Sequence, residues 1–237
     1  MRKWLAAGAL WASGCHMLVM PGGFEAGLSE AGSQQTPGLT EASLNTPQPP
    51  ADVDHLALAA ECTERGDQPA AATHLERYVK ANPDQLMFRA HLAELLFKID
   101  QPARAKFHFE TFVADAQTAT GPVNAHLVHC HTRLMEIGGR ADDHHAEMLH
   151  RGIGLLLLVK QTEGEEEFRE EMLCKAIKAF LEAADAKPTD ARVQLYLSDA
   201  HTLAGNRRAA DTARDKARTL ATPGVLTAAE ARRLAIR

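Results

Sequence analysis

Two stretches of the chain repeat one another at an offset of 34 residues. Leu58 recurs as Leu92, Ala59 as Ala93, Cys62 as Leu96, Ala71 as Ala105, Leu75 as Phe109 and Tyr78 as Phe112. A fixed period of this length marks stacked supersecondary units, each unable to bury its apolar face alone. Within one period the apolar positions fall into two helical sets. Leu58, Ala59 and Cys62 share one helical face, and Ala71, Leu75 and Tyr78 share another. Gly66 stands between them, the residue type that enters left-handed backbone freely at a helix end. Pro83 closes the second helix, and Asn82 before it is biased away from helix.

The same spacing returns near the carboxyl end. Ala176 and Ala210 are 34 apart, as are Ala183 and Ala217, and Pro188 closes the helix that holds Ala176, Phe180 and Ala183. From Ala71 to Ala176 is 105 residues, three periods plus three, so an insertion lies between them. That irregular middle runs from Pro122 to Gly164. Val123 to Ile137 reads as a helix ended by Gly138-Gly139. Ala141 to Thr162 reads as a longer one, and its run Leu155 to Val159, apolar all round, makes it the expected most buried helix. A helix from Glu166 to Ala186 follows the break at Gly164. Thr227 and Glu230 form a capping box before a short terminal helix whose Arg232, Arg233 and Arg237 suit a polar cap.

The pattern resembles the tetratricopeptide repeat family, whose 34-residue units are helix-turn-helix hairpins with small residues where the helices touch. Ala59 and Ala71 fill those positions in the first unit, and Ala93 and Ala105 in the second. Pro83 matches the family's closing proline, and Gln117 replaces it in the second unit. The resemblance implies an all-α, right-handed superhelical solenoid of helical hairpins over residues 52–237, with about four units and a C-terminal capping helix. It also implies a concave groove lined by the first helix of each unit. Carried over, the groove positions are Leu56, Ala60 and Glu64; then Ala90, Glu94, Phe97 and Lys98; then Leu195, Asp199 and Thr202. This surface is partly apolar and partly acidic. It lacks the Lys/Arg/Asn set by which some family members clamp an acidic carboxyl-terminal peptide, so the expected partner is an apolar or amphipathic protein segment.

Composition supports the helical reading. The chain is 45% hydrophobic and only 5% aromatic, with Ala and Leu carrying the apolar fraction and few β-branched runs from which to build a sheet. A net charge of -5 lacks the positive footprint that holds phosphate backbones, which argues against nucleic acid.

Residues 1–20 have the layout of an export signal: Arg2 and Lys3, then a short apolar core. Ala12-Ser13-Gly14-Cys15 resembles a bacterial lipoprotein processing site, which makes Cys15 the lipidation candidate. Residues 21–51 alternate Pro and Gly with Ser and Thr and carry no Lys or Arg, a composition that cannot bury enough surface to fold. As a coil such a tether reaches roughly 30 Å. The layout is similar to bacterial repeat lipoproteins of the cell envelope, with the membrane reached only through the N-terminal anchor; the alternative is a cytoplasmic adaptor. The remaining cysteines, Cys62, Cys130 and Cys174, read as small apolar filling of helix interfaces.

Motifs for chemistry are sparse. There is no HExxH, CxxC, GxSxG, CxxCH or phosphate-cradling Gly-rich loop, so neither an enzyme nor a cofactor is expected. The twelve histidines raise one alternative, a histidine-dependent metal-binding protein. A hairpin turning at Gly138-Gly139 would bring His131 to the level of His145, so His131, His144 and His145 are the residues such a site would use, against the simpler reading of exposed or interfacial histidines. The carboxylates from Glu163 to Glu171 read as a solvated helix start, where negative charge suits the helix dipole.

Overall fold

The computed structural model describes residues 54–117, 123–162 and 164–235, all within one compact unit, Pro50–Arg237. The export signal, Cys15 and the Pro/Gly-rich tether lie outside the described residues, as does Arg237. Among the described residues there are ten helices and no strand: α1 His55–Glu64, α2 Gln68–Ala81, α3 Leu86–Lys98, α4 Pro102–Ala116, α5 Val123–Arg140, α6 His144–Gln161, α7 Glu166–Ala186, α8 Ala191–Leu203, α9 Arg207–Leu220 and α10 Ala228–Ala235.

One turn motif builds four of the connections. Gly66, Asp100, Asp142 and Gly205 each adopt positive φ just past the end of a first helix. In each case the next residue donates its N–H back to the carbonyl five residues earlier: Asp67 to Cys62, Gln101 to Leu96, Asp143 to Gly138 and Asn206 to His201, at 2.8–2.9 Å. This is the six-to-one bond of a Schellman cap, which satisfies carbonyls the helix end leaves open. The donor residue at once becomes the N-cap of the second helix. Asp67, Asp143 and Asn206 accept from the backbone N–H of Ala70, Ala146 and Ala209. Gln101 makes no such bond, and Pro102 starts α4 instead. Where the left-handed residue is not glycine it is aspartate, which tolerates that conformation better than most side chains.

The paired positions of the 34-residue repeat meet in the hairpin interiors. Ala59, Ala71, Ala93 and Ala105 are buried at the helix crossings, together with Leu75, Leu92, Leu96, Phe109 and Phe112. Ala176, Phe180, Ala183, Ala210 and Ala217 are likewise buried near the carboxyl end. The fold is therefore an all-α, tetratricopeptide-like solenoid of helical hairpins, closed by α10.

The insertion in the middle is a single extra helix. α6 packs as second helix to α5 and as first helix to α7, and it also touches α8, so α5, α6 and α7 form a three-helix unit. Serving two neighbours removes the alanines that mark the other crossings. The equivalent positions here are Met135 and Glu147, and close approach passes to glycines. A Cβ on Gly138 would lie 2.8 Å from the Glu147 backbone nitrogen, and one on Gly152 would lie 2.5 Å from the Phe180 ring.

Three sequence expectations change accordingly. α5 does not end at Gly138-Gly139 but runs through both to Arg140, because those glycines serve the helix contact and Asp142 makes the turn. α6 starts at His144 rather than Ala141, capped by Asp143. The helix buried along most of its length is α8, with eight of thirteen residues buried against seven of eighteen in α6. α8 is covered by α7, α9 and α10, whereas the outer face of α6 meets solvent.

Gly to Ala inside a helix ordinarily gains about 0.5–1 kcal/mol. Gly139→Ala, whose Cβ meets only the Glu147 side chain at 3.6 Å, should follow that rule. Gly152→Ala should instead lose about 1–3 kcal/mol, because Phe180 is fully buried and cannot retreat. Urea midpoints of the two variants, measured side by side, check the reversal of sign.

Candidate functional site: polar rungs and an open helix face

Each of the four hairpins carries the same pair of facing positions. One lies eleven residues before the left-handed residue, on the first helix, and the other eight after it, on the second. The pairs are His55 with His74, Arg89 with His108, His131 with His150, and Gln194 with Ala213. Five of the seven buried polar or charged side chains among the described residues sit on these rungs: Arg89, His108, His131, His150 and Gln194. The other two are Ser198 and Glu230.

A polar group between helices needs a partner. Two rungs supply their own. Nδ1 of His55 lies 3.2 Å from Nδ1 of His74, and Nδ1 of His131 lies 3.0 Å from Nδ1 of His150. One ring donates and the other accepts, so each pair is satisfied in its neutral form. In the deeper pair, burial and then the Arg192 charge push His131 down to about 3. Burial, then its neighbour His131, holds His150 well below the ordinary imidazole value.

This geometry corrects the grouping of His131 with His144 and His145. With the turn at Asp142 rather than at the glycines, His131 comes level with His150. His144 is exposed, with Nδ1 3.8 Å from Glu147. His145 joins α6 to the start of α8, with Nδ1 3.0 Å from the Ala183 carbonyl and Nε2 2.9 Å from Asp190. No three His, Cys, Asp or Glu side chains among the described residues are gathered as metal ligands.

The predicted groove positions divide between open and covered. Ala60, Glu64, Lys98 and Thr202 are exposed, Leu56 and Glu94 half-buried, and Ala90, Phe97 and Leu195 buried. Glu94 is gripped from α5: Arg133 donates from Nε and Nη2, both at 2.9 Å, and His129 Nε2 lies at 3.0 Å. Burial would raise the Glu94 carboxyl, but the hydrogen bonds from His129 and Arg133 and the Arg133 charge outweigh it and bring it to about 2. The Phe97 ring lies under two guanidinium groups, Arg133 at 4.8 Å and Arg140 at 4.6 Å. At the other end Leu195 packs on Ala217 and Leu234, and Asp199 pairs with Arg233 of α10. Arg233 is thus half-buried over the Tyr196 ring instead of serving as part of a polar outer cap.

Sequence reasoning passed over Arg133 and Arg140 and the pairing of His129 with Glu94. Spacings of four and seven residues along α5 put His129, Arg133 and Arg140 on one face, and that was the available signal. It also missed how α10 is held. The Thr227–Glu230 capping box forms as expected, with Thr227 N–H donating to Glu230 at 2.8 Å and Glu230 N–H to the Thr227 hydroxyl at 3.2 Å. Glu230, only 1% exposed, also accepts from the Tyr196 hydroxyl at 3.1 Å and lies 3.3 Å from Arg192 Nε. The Thr227 hydroxyl donates to Gln117 at 2.8 Å, tying the end of α4 to α10. These residues and the His131–His150 rung line a cleft of about 450 Å³.

Among the cysteines, Cys62 and Cys130 fill helix interfaces, and burial pushes the Cys130 thiol up to about 12. Cys174 is exposed on α7 and fills none.

The neutral rung makes stability fall with acid. Above an ordinary imidazole pKa of about 6.5, folded and unfolded chains bind the same number of protons at His131 and His150. Below it the unfolded chain takes up protons that the folded rung refuses, so stability is lost as pH falls from there toward 3. Between pH 6.5 and 5 each histidine should cost about 1–2 kcal/mol. His131→Gln/His150→Gln should be less stable at pH 7 yet show a flatter dependence of the urea midpoint on pH over that window.

No family model and no curated protein sequence matches the chain. Solved structures similar to it include MamA, at 18% identity over 70% of this chain and 89% of that one, with a TM-score of 0.38. A thermophilic TPR protein of Thermus thermophilus is similar at 21% identity, covering 76% of this chain and 79% of its own, with a TM-score of 0.34. YrrB, a TPR protein with an unusual peptide-binding site, is similar at 12% identity, covering 77% and 91%, with a TM-score of 0.36. The repeating Schellman hairpins, the alanine crossings at 34-residue spacing and the terminal capping helix make this chain a protein of tetratricopeptide-like fold.

Proposed function

We propose that this chain is an exported scaffold, tethered at Cys15, that holds a segment of a partner protein against the first helices of its first two hairpins. The observation that carries this reading is the contrast between the two ends of that helix face. Ala60, Glu64, His91 and Lys98 are exposed on α1 and α3, whereas Leu195 and Asp199 on α8 are engaged by α9 and α10. Met87, 37% exposed, adds an adaptable apolar contact beside His91 and Lys98. Behind them the Glu94–Arg133 fork and the Arg-flanked Phe97 ring fix α3 against α5, so the face is rigid before a partner arrives. An amphipathic segment with apolar and acidic side chains complements Met87, Ala60 and Lys98. The export reading is supported by Arg2, Lys3, the apolar core and Ala12-Ser13-Gly14-Cys15, and places the scaffold at a cell-envelope membrane. No reaction, cofactor or nucleic-acid partner enters this reading.

In-cell crosslinking and capture of the full-length chain tests it, run beside Cys15→Ala and the surface variant Met87→Arg/Lys98→Glu. The expected result is a defined envelope protein whose recovery falls severalfold with the double variant, and a chain that leaves the membrane fraction with Cys15→Ala. A chain found in the soluble cytoplasm regardless of Cys15 overturns the tether. Equal recovery with the double variant overturns the face.

A further inference from the structure

The four rungs are not equal. At His55–His74 and His131–His150 two imidazoles satisfy each other. In the second hairpin arginine stands in place of the first histidine, and its guanidinium does not meet the His108 ring nitrogen that faces the rung. The result is two orphaned atoms. Arg89 Nε and His108 Nδ1 are buried without a hydrogen-bond partner, in side chains 9% and 7% exposed. Arg89 gives one Nη2 hydrogen to the Pro83 carbonyl at 3.3 Å and forms no ion pair among the described residues. Orphaned polar atoms of this kind cost stability unless something satisfies them.

Both side chains face a cleft of about 510 Å³ between α2, α3 and α4. Its walls are apolar, formed by Val79, Pro83, Ala103 and Phe107, the last an aromatic ring 61% exposed. Its rim carries Lys80 and Arg104. The carboxylate in its lining, Glu76, is taken by Arg104 at 2.6 Å. Three cations against one carboxylate leave the cleft positive within a chain that is negative overall.

We propose that this cleft binds an organic carboxylate carried on an apolar group, with the carboxylate on Arg89 and His108 at the base and the apolar group against Val79 and Phe107. A carboxylate has two oxygens that accept in one plane and suits a guanidinium edge. The apolar walls require that the anion bring a hydrophobic body with it. The site lies among α2, α3 and α4, away from the exposed residues of the α1–α3 face proposed above, and does not depend on that face. His108 provides a built-in reporter. Burial, and then the Arg89 charge, holds its ring below the ordinary value, with Arg104 adding to the effect and Glu76 opposing it. A bound carboxylate offsets Arg89 and moves the ring back up.

The test titrates the full-length chain with sodium hexanoate, with N-acetyl-leucine as a peptide-terminus probe, and with the neutral N-acetyl-leucinamide, following the Arg89 Nε–H and His108 ring signals by NMR. At least one of the two acids should shift the Arg89 Nε–H signal and raise the His108 pKa, and the amide should do neither. Arg89→Met should weaken acid binding about tenfold or more. Lys80→Gln, an exposed rim change that leaves the core intact, should weaken it severalfold. Shifts with hexanoate alone assign the site to free small acids, and shifts with N-acetyl-leucine alone assign it to a peptide terminus. The same response to acid and amide, no response to either acid, or an unchanged affinity in Lys80→Gln and Arg89→Met overturns the proposal.

Discussion

The left-handed residue at each hairpin turn is the constraint from which the rest of the structure follows. Gly66, Asp100, Asp142 and Gly205 each end one helix and hand the chain directly to the N-cap of the next, with a single backbone bond at 2.8–2.9 Å fixing the handover. Because both helices are counted from that one residue, every pair of facing positions in a hairpin is fixed with it. Leu58, Leu92, Leu134 and Leu197 all stand eight before it. The polar rungs stand eleven before and eight after. A turn displaced by a few residues would move a leucine out of the interface and a histidine out of reach of its partner.

That dependence explains what could be read in the sequence and what could not. The alanine crossings were legible because an alanine at 34-residue spacing has one plain cause, the close approach of two helices. Gly66 was legible because glycine is the usual left-handed residue. Asp142 was not, because aspartate takes that conformation only where its neighbours impose it, and the adjacent Gly138-Gly139 looked like the better turn. Those glycines serve the contact with the backbone of α6 instead. Mistaking one role of glycine for the other shifted the hairpin register, and the shift alone turned His131 from its partner His150 toward His145. The rung pattern was present in the residue numbers throughout, with His74 and His108 even 34 apart, but residue type changes from one rung to the next. His, Arg and Gln share only the need for a partner, and that need is visible only when the facing side chain is known.

At the carboxyl end a short helix stands where the next unit's first helix would stand. Eight residues bury too little apolar surface to hold it by packing alone. A buried carboxylate does the rest: Glu230 is satisfied from its own backbone cap, from Tyr196 and beside Arg192, while Thr227 reaches Gln117. Burying a charge is costly unless its partners are in place, and here they come from α8 and from the end of α4, so the cap can be seated only when those elements are already docked.

Replacing one histidine of a self-satisfied pair by arginine has a different consequence from replacing it by an apolar residue. Gln194 faces Ala213 and leaves no buried side-chain atom without a partner. Arg89 facing His108 stays unresolved within the fold, since the Arg89 Nε–H and the ring's Nδ1 do not meet and both are buried without a partner. A chain under no other constraint would lose little by placing a leucine there and would gain apolar burial. That the second hairpin instead keeps a cation and a neutral imidazole at the base of an apolar, positively rimmed cleft is economical only if an acceptor arrives from outside. The rung that fails as structure is, on that ground, a place where a ligand would improve the fold as well as occupy it.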